Sequence, residues 1–278
     1  MAVDKKILNE MFDNLLHIGN KTNYWNPRMR DYIYASVNWI HVINLVKSYE
    51  KLEEVKKELK QIMTEWKKVL FVSTKLQSRD AFSKVAEATW NYYVSEKWVP
   101  WLLTNFKTIK WRISTYLKLL KDVEAWSLDV LTKKEKASKM LELEKLDKAF
   151  KWLKTMKKLP DVIFVVDWVY EKLAIKEANS LWIKVFSIFN TNWDDSFVEN
   201  IIPANTNSVK SLQYIASELT KALSWIKVEH NSNSWVVKKI TPKKAFSQTK
   251  TETPKVKKEE TKVEEKKEKE VNVEKTDK

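Results

Sequence analysis

Asn20-Lys21-Thr22-Asn23-Tyr24-Trp25-Asn26-Pro27-Arg28-Met29-Arg30 mixes cations, amides and aromatics without helical periodicity. That mixture suits a phosphate backbone, with charge for the phosphates and amides and rings to place sugars and bases. Lys21, Arg28 and Arg30 are the expected phosphate partners. Asn23, Tyr24, Trp25 and Asn26 are the expected positioning groups. Trp25 and Met29 have a second reading, as core plugs that fix the loop. Another set, Thr74 and Lys75 with Arg79, follows a predicted strand and precedes a predicted helix, where anions bind readily. A third, Asn105, Lys107, Lys110 and Arg112, opens a predicted helical hairpin; its lysines read equally as a solvated helix face.

Other chemistry finds little support. Asp167 ends a strand without a partner motif and reads as sheet-end polarity. Asp194-Asp195 is an acidic loop pair, and His17, His41 and His230 lack metal-ligand spacing. His17 and His41 are expected to be structural, held by hydrogen bonds. Even with every Trp replaced by Gly, neither G-x-G-x-x-G nor G-x-x-x-x-G-K-[ST] appears. The expectation is therefore no catalytic residue, no metal, no cofactor and no small-molecule substrate. The chain has no Cys, which excludes disulfides and thiolate chemistry and fits a reducing cytoplasm. MAVDKKILNE has no apolar signal core, and VIFVVDWVY is too short to span a bilayer, so no membrane partner is expected.

Net charge is +14 over 278 residues. The segment 238–278 holds 14 Lys against 9 acidic residues, leaving +9 on the remainder. A body basic in its own right points to a polyanionic partner.

These residues need a scaffold, and the hydrophobic pattern supplies one. Ile40–Leu45, Val69–Ser73, Asn91–Val94, Val162–Asp167 and Ile183–Phe189 read as strands. Helices are expected around Leu52–Ile62, Ala81–Ala86, Lys172–Leu181 and Ser208–Leu223. Apolar strands alternating with helices imply a parallel sheet covered on both faces. The fold class is thus α/β, a three-layer, doubly wound, mainly parallel sheet of the flavodoxin or Rossmann kind. One segment departs from the alternation. Phe106, Ile109, Ile113, Tyr116, Leu120 and Val123 recur at heptad spacing, as do Leu143, Leu146, Phe150 and Leu153 after a gap. This predicts a protruding antiparallel helical hairpin, with packing against the body as the alternative. The expected organisation is 1–104 and 159–227 for the α/β body, 105–158 for a coiled-coil hairpin, and 228–278 for a disordered Lys/Glu-rich tail.

The chain holds one glycine, Gly19, and 14 tryptophans. About 19 glycines would be ordinary for this length. Trp39, Trp66, Trp90, Trp126 and Trp182 sit at expected turns and helix ends, where φ > 0 favours Gly. The codon UGA is read as tryptophan in some genetic codes and as glycine in others. A glycine-reading gene written in the tryptophan-reading code would give this pattern. The alternative is a true Trp-rich surface that stacks on RNA bases.

With Trp allowed to stand for Gly, residues 1–227 resemble family two of the bacterial small-subunit ribosomal proteins. His17, Gly19, Trp25, Asn26, Pro27 and Met29 match H-x-G-x(5)-W-N-P-x-M. Asn38–Leu45 resembles N-G-I-H-I-I-D-L, and Val69–Lys75 resembles V-L-F-V-G-T-K. Tyr92–Val94, Lys97-Trp98 and Leu103–Ile109 resemble Y-V-N-x-R-W-L-G-G-x-L-T-N-F-K-T-I. Leu159-Pro160-Asp161 and Ile202-Pro203-Ala204-Asn205 match L-P-D and I-P-A/G-N. Departures are Asn20 for His, Ser73 for Gly, Lys97 for Arg and Pro100 for Gly. On this comparison Trp25 and Trp98 are true tryptophans. Trp39, Trp66, Trp90, Trp101, Trp126, Trp152 and Trp182 fall on family glycines, and Trp111, Trp168, Trp193, Trp225 and Trp235 are unassigned. The resemblance implies an α/β body with a coiled-coil hairpin, a non-catalytic role between head and body of the small ribosomal subunit, binding to small-subunit ribosomal RNA, and recruitment of ribosomal protein S-one. It implies a cytoplasmic, ribosomal location and neighbouring small-subunit proteins as partners. The alternatives are a nucleotide-binding α/β enzyme and a ribosome-independent RNA-binding module.

Overall fold

A computed structural model describes residues 4–125, 132–192, 198 and 200–224. In chain order the elements are α1 (Lys5–Asp13), β1 (Ile18–Lys21), a 3₁₀ turn (Pro27–Tyr32), β2 (Ile33–Val37), β3 (Ile40–Ile43), α2 (Leu45–Thr64), β4 (Val69–Val72), α3 (Leu76–Ala88), β5 (Tyr92–Val94), α4 (Phe106–Glu124), α5 (Lys133–Phe150), a second 3₁₀ turn (Lys151–Leu153), β6 (Val162–Val166), α6 (Lys172–Ser180), β7 (Lys184–Phe189), β8 (Asn200–Pro203) and α7 (Val209–Leu223).

Five strands form a parallel sheet in the order β5-β4-β6-β7-β8. This is the flavodoxin-type arrangement, with its switch point between β4 and β6. Their continuous apolar runs are explained by burial on both faces. Val69, Phe71, Phe164 and Phe186 pack with Leu52, Leu59, Phe82 and Leu212 from α2, α3 and α7. Leu70, Val72, Ile163 and Val165 point the other way, toward Ile109 and Ile113 of α4, Phe150 of α5 and Ile175 of α6. The alternation of strand side chains thus divides one sheet into two cores and gives three layers.

The structure corrects one assignment. Ile40–Ile43 is a strand, but it lies in a separate antiparallel sheet of order β1-β3-β2. The reason is local. Asn44 ends the strand by capping α2, its Oδ1 accepting from the Val46 N–H at 3.0 Å. That leaves a four-residue strand beside its own hairpin partner. β1, β2 and β8 were not expected; each is short, and β8 ends in Pro203.

The helices α4 and α5 form where the heptads lie, but the stripe shifts along α4: Leu119 is buried in place of Leu120 and Val123, which are only partly so. Ile109, Ile113, Tyr116 and Leu119 are the buried positions of α4. In α5 only Phe150, its last residue, is buried. The Tyr116 hydroxyl donates to the Asp147 carboxylate and ties the two helices together. Thr132 starts α5 with a reciprocal capping box to Glu135. Trp126, Asp194, Asp195, Trp193, Trp225, His230, Trp235 and the tail 228–278 lie outside the described residues. Among the described residues, no helix is long and apolar enough to cross a membrane.

Candidate nucleic-acid interface

The Asn20–Arg30 segment lies over the C-terminal end of β7. The Asn20 N–H donates to Thr191 Oγ1 at 3.0 Å, and the Asn26 N–H donates to the Thr191 carbonyl at 2.9 Å. Asn26 Oδ1 caps the 3₁₀ turn by accepting from the Arg28 N–H at 3.1 Å. Met29 is fully buried in the second core, which settles its role as a plug. Lys21, Asn23, Tyr24, Trp25, Arg28 and Arg30 stay at the surface. Trp25 leans on His41, ring centres 5.2 Å apart, and so rests on the body while staying partly open to solvent. His17 stacks on Phe12 at 4.1 Å, and burial lowers its pKa. Ring packing, not the expected hydrogen bonding, is what the two histidines share, and neither ring nitrogen of His41 has a hydrogen-bond partner among the described residues.

Beside this segment is a cleft of about 350 Å³ lined by Asn23, Tyr24, Trp25, Asn26, Trp168, Val169, Lys172 and Asn192. Lys172 Nζ lies 5.3 Å from the Trp168 ring centre. Amides, aromatic rings and one ammonium are the groups that hold an unstacked base or a sugar-phosphate. Lys172 was not among the expected residues. Its partner loop is far away in sequence, so spacing alone carries no sign of it.

The second expected set is placed differently. Lys75 is buried, and its Nζ donates to Asp167 Oδ2 at 2.8 Å and Asn207 Oδ1 at 2.7 Å. Asp167 also accepts from Thr206 Oγ1 at 3.1 Å. Thr74 turns inward as well, its N–H donating to Glu171 Oε1 at 2.8 Å. Burial pushes the Glu171 carboxyl above the usual range, opposed by the Thr74 hydrogen bonds, and the nearby Asp167 charge adds to the rise. The reading of Lys75 as a phosphate partner is corrected here: its charge is matched inside the protein. Arg79 is half-buried one turn further along α3. The switch-point crevice, where doubly wound enzymes bind ligands, is filled by this chain's own ion pair and carboxylate. Among the described residues no cluster of three or more His, Asp or Glu could hold a metal.

The third set stands in the open. Asn105, Lys107, Lys110 and Arg112 are exposed at the start of α4. From Phe106 to Lys121 the helix carries five cations and no carboxylate. Lys107, Lys110, Lys118 and Lys121 recur at steps of three, eight and three, and so share one stripe of the helix. After α5 the chain adds Lys151, Lys154, Lys157 and Lys158, again without an acid. Lys154 Nζ lies 5.0 Å from the Tyr116 ring centre, so this run folds back on α4. These later lysines were missed; the acid-free run KWLKTMKK was the available signal.

Glu177 on α6 locks the hairpin base. Its carboxylate accepts from Trp98 Nε1 at 3.1 Å, the Trp101 N–H at 2.7 Å and the Leu103 N–H at 3.0 Å. One buried acid thereby orients the whole loop before α4. Nothing in its local sequence announces this.

Comparison with known proteins bears on this arrangement. The family described as ribosomal protein S2 matches residues 11–225. The small ribosomal subunit protein uS2 of Coprothermobacter proteolyticus is 39% identical over 216 residues, covering 78% of this chain and 81% of the relative. That of Fusobacterium nucleatum is 40% identical over 217 residues, covering 78% and 88%. That of Petrotoga mobilis is 38% identical over 207 residues, covering 74% and 72%. A flavodoxin-type body whose ligand crevice is closed, with a helical hairpin whose first helix is acid-free from Phe106 to Lys121, belongs to the ribosomal protein S2 family, a family of structural, non-enzymatic proteins of the small ribosomal subunit.

Proposed function

We propose that the chain docks on small-subunit ribosomal RNA through two cationic surfaces, the hairpin base and the Asn20–Arg30 loop. The carrying observation is the hairpin, where α4 bears five cations from Phe106 to Lys121 with no acid among them and the acid-free run Lys151–Lys158, folded back on α4 at Tyr116, adds four more. Uncompensated cations on a rigid helix release counterions when they meet phosphates, which drives association. The cleft beside Trp25 adds a place for a base or sugar at the second surface. Membership of the family supports the ribosomal, and hence cytoplasmic, setting of this reading. In the same reading the exposed stretch of α5 faces neighbouring small-subunit proteins, and the seated protein supports docking of ribosomal protein S-one.

The test is binding of the full chain to small-subunit ribosomal RNA across a salt series. Replacing Lys107, Lys110 and Arg112 together by Ala should weaken binding and reduce the slope of log K against log salt by roughly 0.7–0.9 for each phosphate no longer neutralised. An unchanged slope would remove the hairpin base from the interface. Sedimentation of lysate at high salt checks the wider reading: the protein should travel with small subunits. Stripping it from those subunits should lower their content of ribosomal protein S-one.

A further inference from the structure

Eight non-glycine residues among the described ones have left-handed backbone, and five are tryptophans: Trp39 (φ 64°), Trp66 (62°), Trp90 (56°), Trp101 (61°) and Trp182 (56°). This is the region where a Cβ collides with its own backbone and only glycine is at ease.

The hydrogen bonds define what each position does. At the end of α2, Trp66 N–H donates to the Met63 carbonyl and Lys67 N–H to the Ile62 carbonyl. Trp90 and Asn91 repeat the pair at the end of α3, donating to Glu87 and Ala86. Trp182 and Ile183 repeat it at the end of α6, donating to Asn179 and Ala178. All three are Schellman endings with tryptophan at the residue that is normally glycine. Asn38-Trp39 is the two-residue turn joining β2 to β3, where Val37 pairs directly with Ile40. Both turn residues have positive φ, the type I′ geometry that favours Asn-Gly.

The side chains stand mostly in solvent. The five are between 63% and 95% exposed. Trp98 is the opposite case: it is buried, and its indole N–H is bonded to Glu177. Gly19 completes the contrast, because its φ is not left-handed. It is needed for space; a Cβ there would sit 2.8 Å from the His41 carbonyl oxygen and 2.8 Å from Thr191 Cγ2. The one glycine in the chain thus serves close approach, while five of the eight left-handed sites hold the bulkiest side chain available.

We infer that residues 39, 66, 90, 101 and 182 are glycine in the protein its own cell makes, encoded by UGA read as glycine, and that Trp98 is tryptophan there. The left-handed geometry does not extend this to Trp152, which lies in a 3₁₀ turn with its ring 4.7 Å from that of Tyr93. The inference stands apart from RNA binding, since it rests on backbone geometry alone.

Tandem mass spectrometry of the native protein tests it directly. Peptides covering these five positions should each be lighter by one indolylmethyl group exchanged for hydrogen, and the peptide holding Trp98 should keep its full mass. Tryptophan at Trp66, Trp90 or Trp182 in native protein overturns the inference. A second measurement uses the chain as written. Replacing Trp66, Trp90 and Trp182 by Gly should raise the folding equilibrium constant by roughly fivefold or more per site. A triple variant less stable than the chain as written would also count against it.

Discussion

Lys75 and Lys110 are the same residue type with opposite surroundings. Lys75 follows β4 at the switch point and is closed in by Asp167, Asn207 and Tyr170. Lys110 stands on α4 in a stretch that contains no acid. The first region is a place where related architectures hold a phosphate, and here Thr74, Lys75 and Asp167 all find partners inside the chain. The second is an ordinary helix surface, and here the charge is left unmatched. The crevice of the sheet is thus filled by the chain's own side chains, while the unmatched charge stands on an appendage.

That contrast can be broken from its buried side first. Lys75→Ala leaves Asp167 buried without its cation and should cost about 3–5 kcal/mol of stability by urea denaturation. Its RNA affinity per folded molecule should stay the same; a selective loss of RNA binding would return Lys75 to the interface. Glu177→Ala strips three strong hydrogen bonds from the loop before α4 and should cost about 3 kcal/mol. Hydrogen exchange should then rise first at Trp101 and Leu103. By comparison, the triple Lys107, Lys110 and Arg112 to Ala change should alter stability by only about 0.5 kcal/mol, because exposed, unpaired cations support no fold. Its whole effect should appear in RNA binding.

The smallest effect concerns pH. Glu171 has a raised carboxyl pKa because burial disfavours its charge. A raised folded value means the native state holds the proton more tightly than the unfolded chain. The stabilisation from this group is therefore complete below the ordinary glutamate range and is lost as pH rises through the raised value. Glu171→Gln carries no charge to bury. Relative to the parent, its melting temperature should improve as pH climbs from about 4, near the reference glutamate pKa, toward neutrality. A constant difference across that range would show that Glu171 titrates normally.

The parallel sheet and the hairpin were legible because they depend on pattern: β4 and β6 are continuous apolar runs, β7 is one broken only by Ser187 after its first residue, and α4 repeats at heptad steps. The small antiparallel sheet was hidden. Its strands are short, and Ile40–Ile43 looks equally at home in either sheet until the Asn44 cap is recognised. Candidate site residues divide along the same line. The cations of α4 lie on a face set by helical spacing, so their exposure follows from the sequence. The fate of Lys75 depends on Asp167, 92 residues later, and no local pattern encodes that pairing. Glu177 was missed for the same reason, its acceptor role being 74 to 79 residues from the amides and indole it serves.

The seam between Gly19 and Thr191 has a consequence for the order of assembly. The two are brought together by the Asn20–Thr191 hydrogen bond, which spans 171 residues of chain. During synthesis the small sheet leaves the ribosome early, yet the Thr191 shelf it rests on emerges 171 residues after Asn20. At usual elongation rates that interval is roughly ten to thirty seconds. Throughout it the Asn20–Arg30 loop is cationic, aromatic and without its seat. A loop made early is thus fixed in shape only once a strand end made much later has joined it.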